Sequence, residues 1–171
     1  NGWIYVTESG GQFPLRRFDA TSGALDPVWQ PADSRATLQF VGGELMTWRR
    51  ITSSGCNTGT VLGTLDPVTG AFREWFRTSA FNGATITRDG DTVYLAGPLP
   101  NFQPGGCDIG SALFAYDRRT GVRVHAPPLV GAISSLITAD GRLVAAGGAM
   151  AMGAAPVNGL VELLRPSGTA F

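Results

Sequence analysis

The chain has 171 residues, enough for one domain with a sizeable core, and its content of 43% hydrophobic and 15% charged residues is typical of a folded chain. Thirteen basic residues balance thirteen acidic residues, so the formal net charge of zero argues against nucleic acid or an anionic membrane as a partner. No apolar run approaches the roughly 20 residues that span a bilayer, so we expect no transmembrane segment.

One turn motif recurs along the whole chain. The pattern Asp-x-x-Ser/Thr-Gly begins at Asp19, Asp66 and Asp117, and a variant with arginine in place of the aspartate begins at Arg165. The aspartate and hydroxyl side chains of such a motif bond the nearby backbone, and its glycine accepts a positive φ angle. Each copy therefore predicts a β-hairpin. The residues that we expect to form these structural turns are Asp19, Gly23, Asp66, Gly70, Asp117 and Gly121.

A second signal keeps step with the first. Four two-residue pairs typical of hairpin loops each precede a strand-like segment: Asn1-Gly2, Gly42-Gly43, Asp89-Gly90 and Asp140-Gly141. From the aspartate of a turn to the glycine of the next pair the separation is constant, whereas the stretch from that glycine to the next aspartate varies in length. We name the four strands of the unit A to D: strands A and B flank the two-residue pair, and strands C and D flank the Asp-x-x-Ser/Thr-Gly turn. The variation in length is then confined to the connection between strands B and C.

Four antiparallel strands in a repeat of about 50 residues are typical of a β-propeller blade. We therefore predict an all-β fold in which residues 1–171 form a single β-propeller segment of about three and a half to four blades. A β-sandwich with accidental self-similarity is the alternative. The chain begins and ends inside a blade, so we expect it to be part of a larger propeller whose remaining blades are its partners. Unpaired edges and uncovered apolar faces should promote association. The predicted blade units are 1–30, 31–79, 80–129 and 130–171.

The repeat resembles the delta-60 type of bacterial β-propeller repeat, and more distantly the tryptophan-docking repeat of quinoprotein propellers. In the quinoprotein repeat the tryptophan follows the aspartate by eight positions, whereas Trp29 and Trp75 lie further from their aspartates, so the spacing favours the first family. That resemblance implies an extracellular or cell-surface bacterial protein and carries over no catalytic residue. The segments that carry it are Phe18 to Trp29, Arg142 to Gly148, Val157 to Leu160 and Leu164 to Gly168.

The sequence offers little catalytic or metal-binding chemistry. His125 is the only histidine, and with the two cysteines at unrelated spacings it does not make up a zinc site. The Asp89-Gly90-Asp91 segment lacks the further oxygen ligands of a calcium loop. No phosphate loop, dinucleotide fingerprint or nucleophile elbow is present. We therefore assign no metal, no cofactor and no catalytic residue.

The B to C connections are the most informative positions for function, because in propellers they lie on one rim of the disc and loops on a rigid scaffold carry binding residues. They are predicted as loops at Ile51 to Thr60, Pro98 to Gly110 and Ala149 to Asn158. We interpret the chain as a scaffold that binds a protein or glycan ligand through this rim. The alternative is a propeller enzyme, quinoprotein-like or polysaccharide-degrading, whose site is completed by blades outside this chain. The candidate rim residues are Arg49, Arg50, Asn57, Asn101, Phe102 and Asp108.

The two cysteines occupy equivalent positions of neighbouring units, since Cys56 and Cys107 each lie ten residues before the aspartate of the next turn. We predict that they form a disulfide between the connections of two adjacent blades, which the glycine-flanked segments around them permit. An even cysteine count in a repeat that resembles surface proteins favours an oxidising compartment. Two unlinked thiols kept by repeat duplication are the alternative.

Overall fold

The computed structural model describes residues 2–6, 15–31, 37–53, 56–78, 85–100, 108–126 and 128–164. These ranges hold β-strands and turns, so the all-β prediction is confirmed. None of the described segments forms a helix that could span a membrane. The strands in chain order are β1 (Trp3–Val6), β2 (Arg16–Asp19), β3 (Thr37–Val41), β4 (Glu44–Ser53), β5 (Cys56–Leu65), β6 (Phe72–Thr78), β7 (Thr85–Asp89), β8 (Thr92–Pro100), β9 (Asp108–Asp117), β10 (Arg123–Val124), β11 (Leu129–Ala139), β12 (Arg142–Met152) and β13 (Ala155–Leu164).

The sheets follow the sequence repeats. Strands β1 and β2 form a two-stranded sheet, and β3-β4-β5-β6 form a four-stranded sheet in chain order. A seven-stranded sheet has the order β13-β12-β11-β9-β8-β7, with β10 also on β9, and its β11 and β9 meet at the single pair Val130 and Ala112. It therefore consists of two meanders joined at one point. We call β1–β2 repeat 1, β3–β6 repeat 2, β7–β10 repeat 3 and β11–β13 repeat 4.

The loops between strands A and B are two-residue hairpin loops, but one of them differs from the prediction. Gly42-Gly43 and Asp140-Gly141 have positive φ at both positions, as a type I′ loop requires. In repeat 3 Asp89 pairs with Thr92, so the loop is Gly90-Asp91 and the predicted Asp89-Gly90 loop is wrong by one residue. In this loop only Gly90 has a positive φ angle (56°), which is the pattern of a type II′ loop.

The B to C connections are shorter than predicted. Strand β4 continues to Ser53 and β5 begins at Cys56, so the prediction of a loop from Ile51 to Thr60 is wrong over most of its length. In repeat 4 only Gly153 and Ala154 separate β12 from β13, and in repeat 3 the strands extend to Pro100 and from Asp108. Pro98 and Pro156, which indicated loops, lie within paired strands, because pairing with a distant segment outweighs their low strand propensity.

Pro98 lies within a strand. It is opposite Ser111 in the β8–β9 ladder, and the described pairing of β8 with β7 reaches Ala96. Its missing N–H therefore interrupts none of the described β7–β8 pairs.

The described contacts divide the chain into two compact units, residues 1–49 with 62–74 and residues 50–61 with 75–171. In the first unit Leu15, Trp29, Leu45 and Leu65 form a buried cluster. In the second unit the core lies between the sheets of repeats 3 and 4. Its buried members are Tyr94, Ala96, Leu113, Ala115, Leu129, Ile133, Leu136, Leu143, Ala145, Met150, Val161 and Leu163.

Strand A of repeat 3 packs beside strand A of repeat 4. The hydroxyl oxygens of Thr87 and Thr138 lie 3.1 Å apart, and the Leu136 N–H donates to the Thr85 hydroxyl at 3.2 Å. The two repeats of this unit therefore contact each other through the side of β7 that carries Thr85 and Thr87 and the side of β11 that carries Leu136 and Thr138.

The turn glycines pack against the preceding repeat. A Cβ atom on Gly121 would lie 2.7 Å from the Cβ of Phe76, on the strand D of repeat 2. A Cβ atom on Gly70 would lie 2.9 Å from the Cα of Pro31, in the segment that follows the turn of repeat 1. Both glycines also have φ near 70°, so the turn and the close approach each require glycine.

Candidate functional site

Each repeat has two different ends. At one, which we call the turn end, the loop between strands A and B lies next to the Asp-x-x-Ser/Thr-Gly turn: the Arg118 N–H donates to the Asp91 carbonyl at 2.8 Å, and the Ala20 N–H donates to the Gly2 carbonyl at 3.0 Å. Because the strands of a meander alternate in direction, the B to C connections lie at the opposite end, which we call the connection end.

The turn end is held by the same hydrogen bonds three times. The N–H groups of Asp19, Asp66 and Asp117 each donate to the carbonyl five residues later at 2.9 Å. Each aspartate Oδ1 accepts the N–H groups two and three residues on, at 2.7 to 3.0 Å. The hydroxyl of the fourth residue accepts a further N–H at 3.2 or 3.3 Å. These polar groups satisfy one another inside the turn, so they serve the fold.

The electrostatics of these aspartates agree with that role. Hydrogen bonds from the backbone N–H groups of Ser22, Thr69 and Thr120 are the main cause that lowers the pKa values of Asp19, Asp66 and Asp117 respectively. A carboxylate that is held ionised accepts hydrogen bonds but does not act as a general acid near neutral pH.

Four of the six candidate rim residues have a described backbone position. Asn57 is the second residue of β5 and Asp108 is the first of β9, so both lie at the connection end. Arg49 and Arg50 lie inside β4 and not in a connection, because that strand continues to Ser53. Their side chains, and the whole of Asn101 and Phe102, lie outside the described part of the structure.

The predicted disulfide stays a prediction. The backbone of Cys56 opens strand β5, at the connection end of repeat 2. Its side chain and the whole of Cys107 lie outside the described residues.

A cavity of about 540 Å³ lies at the connection end of repeat 1, where β2 begins and where the segment that follows β2 ends. This volume is in the range of small-molecule and short-peptide sites. Sequence reasoning missed it, although a tryptophan between two prolines was a visible signal for a fixed, partly apolar surface. The lining residues are Leu15, Arg16, Leu25, Asp26, Pro27, Trp29, Gln30 and Pro31.

A buried arginine fixes one wall of the cavity. The Arg17 guanidinium donates from Nε to Asp26 Oδ2 at 3.2 Å, from Nη2 to the same oxygen, and from Nη1 to the Pro67 carbonyl. It also stacks on two indole rings, with its Cζ 4.1 Å from the centroid of Trp3 and 5.2 Å from that of Trp29. The wall is therefore anchored both within repeat 1 and to the turn of repeat 2.

Asp26 completes this wall. Its Oδ1 accepts the N–H groups of Val28 at 2.9 Å and Trp29 at 3.2 Å, which fixes the backbone that carries the tryptophan. The hydrogen bond from Arg17 is the main cause that lowers the pKa of Asp26. The carboxylate is thus an ionised structural group, and Arg16 and Gln30 are the polar side chains left to contact a ligand.

Trp29 presents a buried donor at the same place. Its side chain is 6% exposed and meets Tyr5 edge to face at 5.4 Å, while its indole N–H has no hydrogen-bond partner among the described residues. A buried donor without a partner is costly. An acceptor delivered beside the indole would remove that cost.

No group of three His, Cys, Asp or Glu side chains within the described ranges could hold a metal ion. His125 is exposed on the segment that follows β10. The chain matches no model of a known protein family and no curated protein.

Proposed function

We propose that this chain is part of a bacterial β-propeller, with repeats of the delta-60 kind as its blades, and that it is a rigid scaffold on the cell surface or outside the cell. Its connection end binds a protein or glycan ligand. The four-stranded meanders of repeats 2 and 3 support this proposal, because a blade is a four-stranded antiparallel meander.

The way in which the repeats stack gives further support for the propeller. The threonine pair between β7 and β11 joins equivalent strands of repeats 3 and 4. Gly121 and Gly70 occupy the same position of consecutive repeats, and each lies against the end of the repeat before it. Equivalent contacts between successive units arise when the units are related by one repeated rotation, as blades are.

The difference between the two ends is the observation that carries the proposed binding function. The turn end uses its aspartates, hydroxyls and backbone groups to satisfy one another. The connection end holds the cavity of about 540 Å³, with Arg16 and Gln30 among its lining residues. A ligand therefore finds available polar groups and a concave surface at the connection end.

Four aspartates of the described residues suit a scaffold and not a glycosidase pair. A glycosidase needs a pair of carboxyl groups, one of which is held protonated by a raised pKa. The pKa values of Asp19, Asp26, Asp66 and Asp117 are all lowered, and each carboxylate is fixed by backbone N–H groups. These four groups suit structural roles.

A binding screen tests the proposal. We would apply the labelled 171-residue chain to an array of immobilised bacterial and plant polysaccharides and bacterial surface proteins, and then test each hit with the variants Gln30→Ala and Arg16→Ala. We expect each variant to weaken binding by about tenfold or more, since each removes a polar contact in the cavity. Arg119→Ala, which removes an exposed cation from the turn end, is the matched control. Binding that is lost in the control and kept in both cavity variants would contradict the proposal.

A further inference from the structure

Among the described residues, one face of the sheet of repeat 4 is open. Within repeat 4 the pairing places Ser135, Ala146 and Leu160 in one row and Ile137, Val144 and Glu162 in the next, all on the same side of the sheet. We call this side the outer face. Two of its aliphatic side chains are highly accessible, with Leu160 72% exposed and Ile137 53% exposed.

The same face of repeat 3 is fully covered. The hairpin registers make its equivalent rows Thr85, Ala96 and Leu113, followed by Thr87, Tyr94 and Ala115. All six residues are buried. They are covered by the opposite face of repeat 4, which we call the inner face and which carries Leu136, Leu143, Ala145, Val161 and Leu163. The junction between repeats 3 and 4 therefore shows which kind of surface binds an outer face.

In the described part of repeat 1, the inner face is open as well. In the β1–β2 hairpin Ile4 pairs with Phe18 and Val6 pairs with Arg16, and these positions correspond to the pairs Leu143–Leu163 and Ala145–Val161 of repeat 4. The other side of this hairpin is the one that faces repeat 2, since Tyr5 and Arg17 both donate to the Pro67 carbonyl. Ile4 is 50% exposed, although its counterpart Leu143 is buried.

We propose that, in the 171-residue chain, the outer face of repeat 4 in one copy binds the inner face of repeat 1 in a second copy, in the way that repeat 3 binds repeat 4 and in the place that a neighbouring blade would take. Isoleucine, valine and phenylalanine on the inner face meet isoleucine, valine and leucine on the outer face. Both patches are exposed apolar sheet surfaces of the kind that mark interaction sites.

The charges of the two open faces are complementary. At the covered junction Ala115 and Val161 belong to one apolar cluster. At the open faces Glu162 takes the position of Ala115, and Arg16 takes the position of Val161. The charged residues have opposite signs, and Glu162 already contacts Arg142 at 3.2 Å, so its carboxylate would lie between two cations.

This interface is heterologous, because it uses one patch from each end of the chain. Such contacts generate closed rings when the rotation between copies closes, and open chains otherwise. Arg16 belongs both to the cavity lining and to the inner face, whereas Ile4 and Leu160 lie outside the cavity lining, so substitutions at Ile4 and Leu160 test self-association alone.

Complementary variants test the interface. Leu160→Arg disables the outer face and Ile4→Arg disables the inner face, and both sites are at least half exposed, so each variant should keep the circular dichroism spectrum and melting temperature of the unsubstituted chain. In sedimentation equilibrium we expect the unsubstituted chain to self-associate and each variant alone to associate at least about 100-fold more weakly. Val122→Arg changes an exposed aliphatic residue outside both faces, and this control variant should associate as the unsubstituted chain does.

A mixture of the two variants decides between this interface and other modes of association. Leu160→Arg keeps an intact inner face and Ile4→Arg keeps an intact outer face, so an equimolar mixture should form a dimer with one junction. A mixture that stays monomeric, or an Ile4→Arg variant that still dimerises alone through two outer faces, would overturn the proposal. An unsubstituted chain that stays monomeric at all accessible concentrations would overturn it as well.

Discussion

Three turn glycines with the same backbone conformation differ in their surroundings, and this allows backbone strain to be separated from packing. Gly23, Gly70 and Gly121 have φ of 69°, 73° and 69°. A Cβ atom at Gly23 would meet nothing within 4 Å, whereas one at Gly121 would lie 2.7 Å from the Cβ of Phe76. Alanine at the three positions is therefore the perturbation of choice.

The expected losses follow from these distances. At Gly23 alanine costs about 1 to 2 kcal/mol for the left-handed conformation, and the reduced freedom of the unfolded chain offsets about 0.4 to 1 kcal/mol of that, which leaves about 1 kcal/mol. At Gly121 the new methyl group must also displace Phe76 by roughly 1 Å, and overpacking of this kind adds about 1 to 3 kcal/mol. We expect Gly121→Ala to lower the free energy of unfolding by about 2 to 4 kcal/mol. Gly70→Ala should match it, because backbone atoms of Pro31 and Gln30 block the new methyl group.

Urea unfolding followed by tryptophan fluorescence and far-ultraviolet circular dichroism would measure these losses. The comparison uses the change in midpoint at constant slope, so that a change in the denatured state is recognised. Equal losses in Gly23→Ala and Gly121→Ala would refute the packing argument, since the two positions differ only in what the methyl group meets. A loss near zero at all three positions would refute the backbone argument as well.

Three further measurements test other parts of the structure. The turn aspartates have lowered pKa values in the folded chain, so the stability that they contribute is complete above the unfolded-state pKa near 4 and is lost as the pH falls through the folded-state pKa. The melting temperature should therefore fall in that acid range, and it should fall less in Asp117→Asn. A melting temperature that is independent of pH from 7 to 2 would contradict this. Arg17→Met should lower the melting temperature by about 5 °C or more because it leaves Asp26 without its partner, whereas Arg16→Met should change it by less than about 2 °C, and equal shifts would argue against the buried clamp. Intact-mass measurement after thiol alkylation without reductant should show no added mass if Cys56 and Cys107 are linked, and two added groups in natively secreted protein would exclude the disulfide.

The turns were predictable from the sequence because their physics is local. In the turn that starts at Asp66, every hydrogen bond of the aspartate and of Thr69 lies within five residues of the chain. Gly70 has the positive φ that its place in the motif requires. The residue types and their spacing therefore contain the whole of this local structure.

The extents of the strands were less predictable, because each strand is completed by a partner from elsewhere in the chain. Gly147 lies inside β12, opposite Ile133 and Gly159, although a glycine pair indicates a break. A Cβ atom there would lie 2.0 Å from the Ala132 carbonyl oxygen, so the glycine permits a close approach between strands. Local composition cannot distinguish this use of glycine from a turn.

The cavity at repeat 1 depends on still more distant contacts. The local sequence around Arg17 does not indicate burial, but the residue is buried and bonded to the Pro67 carbonyl fifty residues away. The position of Trp29 follows from that clamp and from Asp26. The alternation of side chains along a strand shows that Arg16 and Arg17 point to opposite sides of the hairpin. The groups that each arginine contacts belong to segments that are distant in the sequence.

The contacts of this chain differ widely in sequence separation, and this has a consequence for its synthesis. Hydrogen bonds within a turn, such as that from the Asp117 N–H to the Val122 carbonyl, form as soon as a hairpin is made. The junction between repeats 3 and 4 joins residues 51 apart, so it must wait for the next repeat to be translated. Until Leu163 has left the ribosome, the face that carries Tyr94 and Leu113 has no cover. We therefore expect each newly made repeat to protect the apolar surface of the one before it, and a ribosome stalled within repeat 4 to leave a nascent chain that binds chaperones.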